Sequence, residues 1–122
     1  MSAAGTVVTI VTAVFFTGMG IYALATPARL MAPFAIALDS ATARSEVRAV
    51  YGGFGVATGA ILAVAVADPQ LRPGVLTAVA AALAGMAVGR LISALDGRSR
   101  FYPNWFYFGV EAVGAAALFA VV

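Results

Sequence analysis

The sequence predicts an all-α integral membrane protein: a four-helix bundle with a short amphipathic or re-entrant segment between spans one and two. Three observations carry that prediction. Hydrophobic residues make up 63% of the 122-residue chain and charged residues only 10%, against about 25% charged in an average soluble domain. The apolar residues fall into four runs, each long enough for the roughly 20 residues that a bilayer core requires. None of the runs alternates polar with apolar, so the spanning structure is the helix, which satisfies its own backbone groups. No repeat or low-complexity linker divides the chain, and residues 1–122 are expected to form a single four-span transmembrane domain.

The first span runs from about Ala4 to Ala25 and stops at Thr26-Pro27. Ala23-Leu24-Ala25 resembles a signal-peptide cleavage site. The apolar run exceeds an h-region of about 7–15 residues, however, and no basic residue precedes it, so a retained span is expected. The segment "PARLMAPFAIALDSATARSE" follows, carrying Leu30, Met31, Phe34, Ile36 and Leu38. It is too short to span and is expected to lie at the interface, to re-enter, or to close as a lid over the bundle. Asp39 or Ser40 offers an N-cap there. The second span is read from about Glu46 to Ala67, ending at Asp68-Pro69. The third begins at about Pro73, a residue suited to a first helical turn, and runs to Leu95 before Asp96-Gly97. The fourth runs from about Tyr102 to the C-terminus. Phe101, Tyr102, Trp105, Phe106 and Tyr107 cluster at its start, as expected of a membrane interface.

Loop charge sets the expected orientation. Arg29, Arg44, Arg98 and Arg100 lie in the loops after spans one and three, with Arg48 at the start of span two. The opposite side holds only Arg72 and the N-terminal amine. The positive-inside rule then places both long loops in the cytoplasm and both termini outside.

Composition removes several chemistries. There is no cysteine and no histidine, so thiol catalysis, disulfides, zinc fingers and imidazole acid–base chemistry are excluded. No metal site or cofactor is expected. A net charge of +2, scattered along the chain, gives no footprint for nucleic acid. Gly18-Met-Gly20-Ile-Tyr-Ala23 fits a dinucleotide-binding string. That mechanism needs a preceding strand and a turn, whereas this string lies inside a predicted membrane helix.

In lipid, helices associate through close contact of small residues. Gly55-Val-Ala-Thr-Gly59 in span two and Gly85-Met-Ala-Val-Gly89 in span three both read G-x-x-x-G. All four glycines are expected to face other helices, within the monomer rather than at a dimer interface.

Charged residues inside the spans are the remaining signal. Glu111 lies about 13 Å along span four from Tyr102, and Arg90 about 8 Å inside the same end of span three, at 1.5 Å rise per residue. The two spans are joined by a short loop, so Arg90 and Glu111 are the expected pair. Span two begins on that side too, bringing Glu46, Arg48 and Tyr51. Each intramembrane charge alone is unfavourable by about 2.5–3.5 kcal/mol on insertion scales; together they neutralise. Glu46, Arg48, Tyr51, Arg90 and Glu111 are thus the expected polar cluster. Arg48 is expected to approach Glu111 or the surroundings of Tyr51. Glu46 is expected to approach Arg90 or stay at the interface.

On Glu46-Val-Arg48-Ala-Val-Tyr51-Gly52-Gly53, Gly89-Arg90, the Asp96-Gly97 turn and Glu111, nearly the whole chain resembles a family of small bacterial four-helix membrane proteins, domain of unknown function 4345. That resemblance implies a multi-pass protein of a bacterial inner membrane and supplies no activity. More distantly, the architecture is similar to DoxX-like proteins and to the sterol-isomerase type of bundle, and function does not follow from fold alone.

Three functional readings remain. The first is a binding or accessory protein. Its polar cluster would hold an apolar or lipid-like ligand, or the bundle would support a larger membrane complex, a membrane-protein partner or a second copy of itself. The second is a small membrane enzyme of isomerase or hydration type. Glu111 or Glu46 would be acid or base, Tyr51 a hydrogen-bond donor and an arginine the stabiliser of negative charge. The third, ranked lowest, is proton or ion transport, because no polar trail continues along span four beyond Glu111. Against all three stands a bridge that only fixes which helices pair.

Overall fold

The computed structural model describes residues 1–122. It contains four helices long and apolar enough to cross a membrane: α1 (Ala3–Ala25), α3 (Ala41–Ala67), α4 (Arg72–Ser93) and α5 (Phe101–Val121). A short helix, α2 (Pro27–Met31), follows α1 and passes into one tight turn, Ala32–Phe34. The shortest span, 21 residues, has a non-helical residue, Tyr102, near its start; the helix beyond it is about 28 Å long at 1.5 Å per residue, close to a hydrocarbon core of roughly 30 Å. The chain is an all-α four-helix bundle with the composition of a multi-pass membrane protein.

Local chemistry sets the ends. The Ser2 side chain accepts from the Gly5 N–H at 3.0 Å and caps α1. Ser40 does the same for α3, accepting from the Ala43 N–H at 3.0 Å. The cap starts α3 at Ala41, several residues before the apolar run begins. Between α3 and α4, Asp68 accepts from the Gln70 and Leu71 N–H groups. Arg72 donates to the Ala65 and Val66 carbonyls at 3.0 and 2.9 Å. The last carbonyls of a helix have no intrahelical partner, and a cation there also suits the helix dipole. Asp68 and Arg72 thus supply partners to backbone groups on both sides of this turn.

The helices assemble as two antiparallel pairs, α1 with α3 and α4 with α5. The first pair meets backbone to backbone. A Cβ added to Gly20 would lie 2.6 Å from the Val56 nitrogen and 2.7 Å from the Gly52 oxygen; one added to Gly55 would lie 2.9 Å from the Gly20 Cα. One on Gly59 would collide with Thr17 Oγ1 and lie 2.9 Å from the Ala13 oxygen. Gly20 shares its stripe with Thr9, Ala13, Phe16 and Ala23, all buried. The facing stripe on α3 is Gly52, Gly55, Thr58, Gly59, Leu62 and Ala65.

The second pair meets through side chains. Its buried residues are Leu76, Val79, Ala80, Leu83 and Ala87 on α4 and Glu111, Ala115 and Leu118 on α5. Gly85 and Gly89 are not at this contact. A Cβ on either would meet nothing within 4 Å, which corrects the expectation that they face other helices. The reason is angular. At about 100° per residue, two positions beyond Leu83 and Ala87 lie about 200° around the helix, off the packed stripe.

The two pairs close on each other in one half of the bundle only. There Ala13, Phe16, Leu62, Leu76, Val79, Ala80, Leu83, Ala115 and Leu118 form one core. In the other half, a smaller cluster of Ala23, Leu30, Met31 and Val47 ties the α2 segment to α1 and α3. Helices α3 and α4 touch along Phe54–Ala67 and diverge beside Arg48–Gly53. Between the pairs, in that half, the bundle is hollow.

Candidate functional site

The hollow is a cavity of about 840 Å³, and 13 of its 18 lining residues are hydrophobic. That size is within the usual range of about 300–1,000 Å³ for small-molecule sites. Its walls include Phe15, Phe16 and Met19 from α1, Val50 and Phe54 from α3, and Leu83 and Met86 from α4. Leu30, Met31 and Phe34 line it from the segment after α1. Phe15, Val50, Tyr51, Phe54 and Met86 among these lining residues remain exposed. The cavity is therefore not sealed.

Its polar end is built from two helices. Arg90 lies seven residues after Leu83 and three after Ala87, so helical geometry carries it along the packed stripe of α4. Glu111 stands on the stripe of α5 with Ala115 and Leu118. The antiparallel pairing brings them face to face. Arg90 Nε donates to Glu111 Oε1 at 2.7 Å and Nη2 donates to Oε2 at 3.0 Å. Side-on, two-point pairing of this kind is the strongest geometry available to a guanidinium and a carboxylate. The Glu111 side chain is 8% exposed and that of Arg90 23%. Glu111 is thus held inside the protein while the guanidinium reaches the cavity. A third bond runs from Arg90 Nη1 to Asn104 Oδ1 at 3.2 Å.

Aromatic rings frame the bridge. The Arg90 Cζ lies 5.9 Å from the centre of the Tyr107 ring, within reach of a cation–π attraction. Tyr107 also sits 5.7 Å, centre to centre, from Phe34. The α2 segment is therefore in contact with the ring that contacts the ion pair. Tyr51 lines the cavity from α3. It belongs to a π-helical stretch, Arg48–Gly53, a departure from α geometry that is frequent at functional sites.

Of the five residues expected to converge, Arg90, Glu111 and Tyr51 line the cavity; Glu46 and Arg48 do not. Arg48 Nε donates instead to the Leu24 carbonyl at 3.0 Å. It supplies the end of α1 with the partner that final carbonyls lack, so it does not approach Glu111. Glu46 is exposed and makes no side-chain hydrogen bond or ion pair. Among the expected packing glycines, Gly55 and Gly59 lie in the α1–α3 contact, Gly89 lines the cavity, and Gly85 faces open space.

Asn104 and Tyr107 are site residues that the sequence reading passed over or assigned to the interface. The signal was present: Asn104, Tyr107 and Glu111 are spaced i, i+3, i+7, which is one helix face. The aromatic cluster around Tyr107 masked it.

No curated protein and no solved structure matches the chain. A family model described as Domain of unknown function (DUF4345) matches residues 5–122. The match covers nearly the full length, and the chain belongs to the DUF4345 family.

Proposed function

We propose that the protein binds an amphiphilic, lipid-like molecule, with the apolar part in the cavity and the polar head at Arg90, Asn104 and Tyr107. The observation that carries this reading is the cavity itself: apolar walls, one polar end, and lining residues that remain exposed. A bridge needed only to pair α4 with α5 would not require a hollow of this size beside it. Three acceptors take three of the five N–H bonds of Arg90, so two donors are free for a ligand. Native mass spectrometry of the purified protein, with lipid identification of what is released, tests the reading. One amphiphile retained per chain through delipidation supports it. A chain that flies bare, with and without added lipid, contradicts it.

Binding ranks above acid–base catalysis because both oxygens of Glu111 already accept from Arg90. Glu111 can take a substrate proton only if that pairing opens. Glu46, the other candidate acid or base, does not line the cavity.

The arginine distribution supports an orientation with Arg29, Arg44, Arg98 and Arg100 in the cytoplasm and both termini outside. The cavity then lies in the cytoplasmic half of the bundle. Cysteine substitutions at Ser2 and Ser99 report it. Labelling of the Ser99 variant by an impermeant reagent from outside alone would reverse the orientation.

A further inference from the structure

We infer that the head of the bound amphiphile is uncharged and carries a hydrogen-bonding oxygen, as in an alcohol, a carbonyl or an ester. This rests on the cavity being a binding site and specifies what it selects.

Arg90 and Glu111 are the only charged residues that line the cavity, and they are paired at two points. The polar end therefore has no net formal charge. What it does have is hydrogen-bonding capacity. Two N–H bonds of Arg90 lack a protein acceptor, and Tyr51, Tyr107 and Ser93 add hydroxyl groups. An anionic head could approach the guanidinium only beside the Glu111 carboxylate. Two negative groups would then share one positive charge, a like-charge arrangement that disfavours ionisation of both. A cationic head meets the converse problem: Glu111 is recessed behind the guanidinium and is the less exposed partner. A neutral oxygen accepts from the free N–H bonds without disturbing the bridge. It leaves no new charge in the low-dielectric half of the bundle, where an unpaired charge is far more costly than in water.

The apolar walls set the rest of the specificity. Phe15, Phe16, Met19, Phe54, Leu83 and Met86 offer no polar group to a second head along the tail. Phe15, Phe54 and Met86 line the cavity and remain exposed, so an apolar tail can enter past them.

The test uses three probes of one chain length: hexadecanol, hexadecanesulfonate and hexadecyltrimethylammonium. Each is added at equal concentration to the delipidated full-length protein in a neutral detergent, and occupancy is read by native mass spectrometry. The expected result is retention of hexadecanol at least about ten-fold above either charged probe, a difference of about 1.4 kcal/mol. In Glu111→Gln the guanidinium loses its counter-charge, and the preference should shift toward hexadecanesulfonate. Equal or better retention of hexadecanesulfonate by the unaltered protein overturns the uncharged-head inference and leaves the cavity reading standing. Retention of none of the three overturns the cavity reading itself. An unchanged preference in folded Glu111→Gln contradicts the role given to charge cancellation. Should that variant fail to fold, the three-probe comparison on the unaltered protein still decides the inference.

Discussion

Gly55-x-x-x-Gly59 in α3 and Gly85-x-x-x-Gly89 in α4 share one spacing and differ entirely in surroundings. The first brings α3 against α1 so closely that a methyl group has no room. The second faces open space, and Gly89 forms part of a cavity wall. The two helix pairs are held by different means as a result. Pair α1–α3 is joined by backbone contact over small residues. Pair α4–α5 is joined by Leu and Ala side chains with a two-point ion pair at one end. A small-residue motif signals close packing only when it falls on the stripe that the rest of the helix buries. Off that stripe, the same residues make room.

The contrast can be broken first at the charge. Glu111→Ala leaves a guanidinium without its partner, and Arg90→Ala strands a buried carboxylate. Either should destabilise the folded protein by about 3–5 kcal/mol, the usual penalty for breaking a buried pair from one side. The double variant should lose clearly less than the sum of the singles, since no orphan charge remains. Thermal unfolding in detergent measures all three; strictly additive losses would mean the two residues do not act as a pair.

The glycine contact gives the next effect. Gly20→Ala places a methyl against two backbone atoms of α3, neither of which can rotate away. Forcing an extra methyl into a packed contact costs about 1–3 kcal/mol. Gly20→Ala with undiminished thermal stability would contradict the backbone contact.

The smallest effect has the opposite sign. Gly85→Ala adds a methyl in open space to a helix interior, where glycine is roughly 0.5–1 kcal/mol worse than alanine. A small gain is expected from the same substitution that damages the protein at Gly20. A loss at Gly85 as large as that at Gly20 would erase the distinction between the two pairs.

The number and limits of the spans were legible because they rest on length and hydropathy. The observed helices agree with the apolar runs to within a few residues, apart from the start of α3, where the Ser40 cap adds a polar turn. The Arg90–Glu111 pairing was legible too, because a short loop between antiparallel helices fixes which ends meet. Two features were not. Arg48 is expected near Glu111 or in the surroundings of Tyr51, and its hydrogen-bond partner is a backbone carbonyl at the end of α1. Carbonyl partners leave no mark in a sequence. The fate of Gly85 and Gly89 depends on rotation of α4 about its axis, which is set by the larger residues Leu76, Val79, Leu83 and Ala87. Spacing gave the period of the glycine stripe and not its phase. Gly20 was concealed for a related reason, since it lies in a string that resembles a nucleotide motif and has no glycine four residues away.

The central claim is that the hollow beside Arg90 and Glu111 holds a molecule. Gly89 and Gly85 provide the most direct measurement, because they lie one turn apart, neither has a neighbour within 4 Å, and only Gly89 lines the cavity. Gly89→Phe and Gly85→Phe are purified side by side, and the amphiphile retained per chain is counted by native mass spectrometry. Gly89→Phe should fold with near-unaltered thermal stability and lose most of the retained molecule, while Gly85→Phe keeps it. Equal retention by two well-folded variants would contradict the claim.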